Sequence, residues 1–435
     1  MPKTFKECLN YIGIESNDTR IVNKISFDSR ECDQNSIYIG NKYKSDALNK
    51  NVLCLDIKYT RKLLNYFYDS PSKNYMVIGV TGTNGKTSIT HYLKQILTDQ
   101  GYKCIRLGTH FNEIEDLKIE SKNTTMDIMS NLNIFLNYIN KIDIIIMEIS
   151  SISIEEHRID FIEFDMIIYT NISMDHLDYH KTFTQYMYSK FKLRNYLKEN
   201  GTILINDDDL NLHRIYELQR NHIKTYSIKD INILKQELNH NTFNYKNIEY
   251  QTSMNGSYIF INLCACLKCL ESMNIDLNIK LDYINNVEGR MEIFEYQDKI
   301  IVIDYAHTPI SLQETLSYLN KFKMNQLICV FGCGGNRDKS KRPLMAKIAS
   351  ESCDFVIVTE DNNRDEDFDD IVKDMELDRF YNVNVVRKRA NAILIALTQS
   401  KKHDIICIAG KGNEKYIIEK GKQIPYNDKS FVLSN

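Results

Sequence analysis

The sequence predicts an α/β fold of parallel sheets divided among three domains, and three observations predict it. Short, nearly continuous apolar runs recur between helical patterns, as in "YMVIGV" (75–80), "DIIIMEI" (143–149) and "FDMIIYT" (164–170). Runs of that kind are strands buried on both faces, the habit of parallel sheets covered by helices. A glycine-rich turn, "GTNGKT" (82–87), joins the first run to a helical pattern. A chain of 435 residues also exceeds what one core ordinarily serves.

Taken in order, residues 1–72 read as a small N-terminal α/β domain, with a strand near "SIYIG" (36–40) and a helix near "TRKLLNYFY" (60–68). The polar, turn-forming "DSPSKN" (69–74) reads as a linker. A central domain, 73–286, opens on the strand at 75–80 and a helix over 87–97 with apolar residues at 89, 93, 96 and 97. "GTILIND" (201–207) continues its series of strands. A second boundary near "NNVEGRMEIF" (285–294) begins a Rossmann-like C-terminal domain, 287–435. There "KIIVIDYAH", "QLICVFGCGG", "DFVIVTEDNN" and "DIICIAGKG" each end in polar or glycine-rich residues. Open α/β sheets bind ligands past those strand ends.

Composition narrows the class. Lys+Arg 55 against Asp+Glu 58 leaves no basic field for nucleic acid. Apolar runs such as "IIIM" (144–147) fall far short of a membrane span. The 11 cysteines, odd in number and scattered, make no disulfide framework. The start, "MPKTFKECLNYIG", shows no apolar core of a secretory signal. The expectation is a cytoplasmic protein acting on small molecules.

The glycine-rich turn carries the first chemistry. Gly82 and Gly85 let backbone N–H groups converge on an anion at a helix N-terminus. Lys86 suits the terminal phosphates of a nucleotide, and the Thr87 hydroxyl suits Mg²⁺. Val80 stands where the strict phosphate-loop pattern has glycine, so the loop is a shorter one; the alternative is a turn with no ligand. Glu148 closes "DIIIMEI" either as a magnesium ligand or as an ordinary strand-end acid. His176 and His180, in "TNISMDHLDYH" (170–180), have the i, i+4 spacing of a zinc pair but no HExxH and no third ligand. "CACLKC" (264–269) reads as a small-residue helix of buried structural cysteines.

In order along the chain stand "TGTNGKT", "MEISS", "TNISMDHLDYH", "VEGRMEIF", "IDYAHTP", "VFGCGGNRDKSKRPLM", "TEDNNR" and "IAGKGNE". Together they resemble the Mur ligase family, in its UDP-N-acetylmuramoyl-tripeptide synthetase branch. The resemblance implies an ATP-dependent ligase that makes an amide through an acyl phosphate during peptidoglycan precursor synthesis. It implies ATP and Mg²⁺ as cofactors, a UDP-sugar peptide and an amino acid as substrates, and a monomer.

Residue by residue, it assigns catalysis to Lys86, Glu148, His176 and Lys190, and magnesium to Thr87, Glu148, His176 and Lys190. Lys190, in "YMYSKFKL", falls where the family carries a carbamylated lysine; otherwise it is a solvated helix lysine. Gly82, Thr83, Asn84, Gly85, Lys86 and Thr87 form the nucleotide loop. Asn262 falls at the adenine, Arg290 at the phosphates, Asp304 at the ribose and His307 in the same nucleoside pocket, while Tyr258-Ile259 replaces a family Phe-Asn pair. Ser29 of "FDSR" (27–30), Asn123, Thr124, Thr125, Ser150 and Arg158 match acceptor-binding positions.

Arg337, Asp361, Asn362, Arg364, Gly410 and Glu414 match the amino-acid pocket. Arg364 suits meso-diaminopimelate, whose distal carboxylate a guanidinium grips through two bonds; the alternative is that Arg364 pairs with the acidic "DEDFDD" (365–370). The chain departs from the family at Asn363 (proline), Asn413 (histidine), Ile152 (histidine) and Glu156 (glutamine), and its first domain is compressed. Two rival readings follow: a Mur-type ligase for another carboxylate acceptor in a secondary pathway, or an idle nucleotide-binding paralogue.

Overall fold

Apolar residues fill the central strands so completely that every residue of Ile144–Glu148, Leu327–Phe331 and Ile405–Ala409 is buried. Helices covering both faces of a sheet produce that pattern. The structure, a computed structural model, describes residues 2–115, 117–218 and 222–434. It divides into two compact units. One holds the chain up to Ser173 with Thr184–Ser227 and Ala265–Ile275; the other holds Met174–Phe183, Ile228–Cys264 and the chain from Asp276 onward.

The first unit contains two sheets. In the smaller, Lys24–Ser26, Ser36–Ile39 and Leu53–Leu55 pair in parallel. The helix Phe5–Tyr11 begins at a capping box between Thr4 and Glu7. It packs on Thr60–Phe67, where the Tyr11 and Tyr66 rings stack at 4.2 Å. Arg61 then reaches the segments that lead into two strands of the larger sheet, donating to the Asn195 carbonyl at 2.8 Å and pairing with Glu163 at 3.3 Å.

Among the described residues the larger sheet runs Ile223–Tyr226, Leu197–Asn206, Phe164–Tyr169, Met76–Thr81, Ile144–Glu148, Cys104–Leu107, His110–Ile114, Leu117–Ser121. All neighbours are parallel up to Cys104–Leu107. The last two strands turn antiparallel. The final one, Leu117–Ser121, is open to solvent, with Leu117 61% and Ile119 49% exposed. The helix Lys86–Asp99 buries Ile89, Leu93, Ile96 and Leu97, the four positions the periodicity names.

In the second unit the order is Glu292–Tyr296, Lys299–Asp304, Ile405–Ala409, Leu327–Phe331, Phe355–Val358, Val383–Val385. Only the first pair among these is antiparallel. The helices Pro309–Asn320 and Lys341–Ser352 pack on one face, and Arg389–Gln399 on the other. All four strands that end in polar or glycine-rich residues release their loops from the same edge. Two antiparallel features had no counterpart in the sequence reading: a sheet of Ile231–Glu237, His240–Tyr245 and Ile248–Thr252, and a hairpin of Tyr416–Glu419 with Lys422–Pro425. Cys264, Cys266 and Cys269 lie buried on the helix Ile259–Ser272, none of them in a disulfide.

Candidate functional site

The candidate residues gather in two places, one within each unit. In the first unit, the strand Met76–Thr81 passes through Gly82–Gly85 into the helix that starts at Lys86. Val80 lies inside that strand, opposite Glu148 and Ile168, so the turn begins only after Thr81. Gly82 admits no side chain, because a Cβ there would stand 1.9 Å from Thr170 Oγ1. Gly85 takes the left-handed conformation (φ 86°) that lets the chain enter the helix.

The residues after the neighbouring strand pin this turn. Thr83 N donates to the Asn171 carbonyl at 2.8 Å, and Asn84 N donates to Asn171 Oδ1 at 3.0 Å. Thr170 Oγ1 donates to the Asn84 carbonyl at 2.6 Å. Lys86 Nζ lies 2.9 Å from the Gly82 carbonyl and 2.8 Å from that of Thr83. Lys190 Nζ reaches the same Gly82 carbonyl at 2.8 Å and lies over the Tyr186 ring. Lys190 is 2% exposed, which sets aside its reading as a solvated helix lysine.

Glu148, fully buried at its strand end, accepts from Thr87 Oγ1 at 2.9 Å. Arg106, Thr109 N and Thr109 Oγ1 also donate to it. A carboxylate and a hydroxyl are the hard oxygen donors that Mg²⁺ prefers. Gly108 keeps room beside them, since a Cβ there would stand 2.2 Å from Glu148 Oε1. Among the described residues no group of three His, Cys, Asp or Glu converges on a metal position. A magnesium ion here would therefore draw on hydroxyl and phosphate oxygens too, as it commonly does.

The acceptor candidates continue from Glu148. Thr125 Oγ1 donates to the Glu148 carbonyl at 2.8 Å and accepts from Ser150 N at 3.1 Å. Arg158 Nη1 donates to the Thr125 carbonyl at 2.9 Å. Thr124 Oγ1 lies 3.2 Å from Thr109 Oγ1, and the Asn123 carbonyl accepts from Ser121. Glu156, the departure from glutamine, accepts from Arg158 Nε. Ser29 is not brought to this group: buried in the small sheet's surroundings, its hydroxyl donates to Asp46 Oδ2 at 2.6 Å.

In the second unit, Arg337, Asp361, Asn362, Arg364, Gly410 and Glu414 all line one cavity of about 250 Å³. His176 and His307 line it as well. Asn362 organises one wall, donating to Glu414 Oε2 at 2.8 Å and accepting from Lys411 Nζ and Ile418 N. Burial opposes ionisation of Asp361, but Lys411, Arg389 and the Asn362 N–H outweigh it and hold the carboxyl below its usual range. Gly410 is required there, since a Cβ would stand 2.7 Å from Asp361 Oδ2.

Arg364 donates to the carbonyls of Gly335 (2.8 Å) and Asn362 (3.2 Å). Burial, with Arg337 nearby, lowers its pKa. The acidic stretch after it goes elsewhere: Glu366 pairs with Arg342 and Lys339, and Asp367 and Asp369 pair with Arg387. Arg364 thus has no ion pair among the described residues, which sets aside its pairing with that stretch.

Of the nucleoside candidates, Asp304 ends its strand and accepts from Met291 N, Ala306 N and Thr315 Oγ1. Burial pushes its carboxyl above the usual range. Arg290 lies over the Tyr305 ring at 4.4 Å, and Asn262 is buried on the helix Ile259–Ser272. His307 shares its Nδ1 proton with the Tyr305 carbonyl at 2.9 Å; burial, with Lys341 beside it, lowers its pKa to about 4. His176 sits in left-handed backbone (φ 53°) at the head of the short helix Leu177–His180.

Several contributing residues were not singled out from the sequence: Arg106, Thr109, Lys341, Lys411 and Arg389. Lys341 and Lys411 stand inside the blocks "VFGCGGNRDKSKRPLM" and "IAGKGNE", and for Arg106 the signal was a lone arginine inside the apolar strand "CIRL", since a buried charge needs a partner.

Comparison with known proteins places this geometry among relatives. The family model described as the Mur ligase middle domain matches residues 80–270, and that of the Mur ligase, glutamate ligase domain matches 289–412. A UDP-N-acetylmuramoyl-L-alanyl-D-glutamate--2,6-diaminopimelate ligase of Clostridium perfringens is 32% identical, over 99% of this chain and 98% of its own. Such a ligase of Clostridium acetobutylicum is 37% identical over 84% of this chain and 79% of its own. A solved structure of a protein of that name has a TM-score of 0.70 at 28% identity, covering 100% of this chain and 98% of that one. The MurF ligase of Thermotoga maritima, solved with ADP, shares the fold at 15% identity and a TM-score of 0.63, over 95% and 96% of the chains.

Proposed function

The chain belongs to the Mur ligase family, and from that premise we propose that it is an ATP-dependent ligase joining meso-diaminopimelate to the D-glutamate of UDP-MurNAc-L-Ala-D-Glu. The observation that carries the choice of amine is the second unit's cavity. Arg337 and Arg364 line it together with Asp361 and Glu414. A diamino diacid offers both charges, so the guanidinium groups take carboxylates and the acids take ammonium groups. Lysine would leave the arginines without a second carboxylate.

ATP with Mg²⁺, when bound, supplies the phosphoryl group that makes the acceptor carboxylate reactive, through an acyl phosphate. The chain's residues position and neutralise, which is most of what phosphoryl transfer asks of a protein. The Lys86 ammonium, now resting on loop carbonyls, turns to phosphate oxygens, and the first-turn N–H groups of its helix point the same way. Thr87, Glu148, Lys190 and His176 are the proposed magnesium ligands, and Asn262, Arg290, Asp304 and His307 the proposed nucleoside contacts. Asn123, Thr124, Thr125, Ser150 and Arg158 receive the acceptor, with Ser29 for its UDP end. In this reading residues 1–72 bind the UDP-sugar, 73–286 the nucleotide and 287–435 the amino acid.

A bare ammonium at Lys190 would repel a divalent ion, whereas a carbamate would bind it, so Lys190 is proposed to be carbamylated. Lys190→Ala should then lose at least about a hundredfold in ADP release, in line with losing a metal ligand. Full activity in that variant would remove the assignment.

The test of the whole reading offers the purified protein ATP, Mg²⁺, UDP-MurNAc-L-Ala-D-Glu and an equimolar panel of amino acids. A product whose mass equals the dipeptide nucleotide joined to diaminopimelate, with water lost, supports it. ADP release with another carboxylate only would point to a different acceptor. ATP bound without any ADP release would make the chain an idle paralogue.

A further inference from the structure

The two carboxylate oxygens of Glu148 are held by different kinds of donor. Oε1 accepts from the Arg106 guanidinium (Nη1, 3.3 Å) and from the Thr109 backbone N–H (3.0 Å). Oε2 accepts from two hydroxyls, Thr87 Oγ1 at 2.9 Å and Thr109 Oγ1 at 3.0 Å. A guanidinium and an amide N–H carry only donors, so neither can make way for a cation. Hydroxyl protons rotate, and the hydroxyl oxygens then become ligands themselves. We infer that Arg106 is a positioning residue that commits Glu148 to a divalent ion through Oε2 alone, and so selects for magnesium.

This inference rests on the proposed reading of Glu148 as a magnesium ligand. Arg106 is built for such a role. It is 4% exposed, in the middle of the strand Cys104–Leu107, and every arm of its fork is engaged. Nε donates to Glu113 Oε1 at 2.8 Å and Nη2 to the Phe111 carbonyl at 3.1 Å. Glu113 stands opposite Arg106 in the antiparallel register. Its other oxygen accepts from Lys94 Nζ at 3.0 Å. Charges therefore alternate from Lys94 through Glu113 and Arg106 to Glu148, which offsets the cost of burying them.

The consequence is ion choice. Ca²⁺ readily takes a carboxylate through both oxygens, whereas Mg²⁺ keeps a small octahedral shell with single-oxygen contacts. Occupying Oε1 with a fixed cation removes the two-oxygen mode.

The test compares the ADP-bound protein with a double variant, Arg106→Met with Glu113→Gln, which removes both buried charges together. Mn²⁺ is titrated and followed by electron paramagnetic resonance, then displaced with Ca²⁺; circular dichroism checks the fold. Ca²⁺ should displace Mn²⁺ about tenfold more readily from the double variant, the scale of losing an outer-sphere partner. Arg106→Lys, which keeps the charge but not the fork, should move the same way and serves if the double variant does not fold. A displacement ratio within about twofold of the parent in a folded variant overturns the inference. Glu148→Gln separates the premises. If that variant loses Mn²⁺ binding while the ratio stays flat, only the role of Arg106 fails. If it binds Mn²⁺ as well as the parent, the ligand reading of Glu148 fails and the inference falls with it.

Discussion

The guanidinium of Arg364, spending two hydrogen bonds on loop carbonyls and lying near Arg337, gains most from a ligand that brings negative charge. Replacing it with lysine keeps one charge but loses the planar fork. Arg364→Lys should raise KM for diaminopimelate about 10- to 100-fold, the worth of a charged hydrogen bond, with a smaller change in kcat, read by steady-state kinetics. His307 makes a prediction about pH. Its folded pKa, about 4, lies below the ordinary 6.5. The unfolded chain therefore binds more protons between those values, and stability falls as pH drops through that window. His307→Asn should flatten that part of the melting-temperature profile. Residue identities such as these were legible because the motifs are contiguous. Lys411 stood within reach too, inside "IAGKGNE" and three residues before its partner Glu414, whereas Arg389 was not legible, because it meets Asp428 and the Ala409 carbonyl only through the fold.

Elements differ in how openly their sequence speaks. Fully buried parallel strands advertise themselves as apolar runs, and each expected one is present. The sheet around His240–Tyr245 hides, because "HNTFNYKNIEYQT" buries the polar Asn241, Thr242 and Thr252 beside Phe243, Tyr245 and Tyr250, so no apolar run marks it. Its tight turn uses Lys246 (φ 51°) and Asn247 (φ 64°), both left-handed, without the glycine that usually marks such a turn. The short helix Asp428–Leu433 is tied in by charge. Asp428 holds Arg389 through two bonds of 2.8 Å, and both side chains are fully buried. Arg389 Nη2 also donates to the Ala409 carbonyl, next to Gly410. Asp428→Asn would strand a buried guanidinium, at a cost of about 3–5 kcal/mol. Urea denaturation of the variant should show that loss.

At the scale of the whole molecule, the chain leaves each compact unit and re-enters it. Met174–Phe183 and Ala265–Ile275 belong to units that their flanking segments do not share. Composition carries no mark of such a crossing, because the strands and helices on either side obey the same local rules. The family blocks, spread along most of the chain, carried what composition could not.

The open strand Leu117–Ser121 bears on how copies of the protein coexist. A free sheet edge offers unpaired backbone groups to any other strand that drifts past. Here Lys118 and Glu120 alternate with the exposed Leu117 and Ile119, and desolvating those charges resists such docking. Removing them, as Lys118→Val with Glu120→Val, should make the protein clump more than the parent as its concentration rises. Light scattering at matched concentrations would show it. The two residues act at no candidate site; their charges bear only on how one copy of the chain meets another.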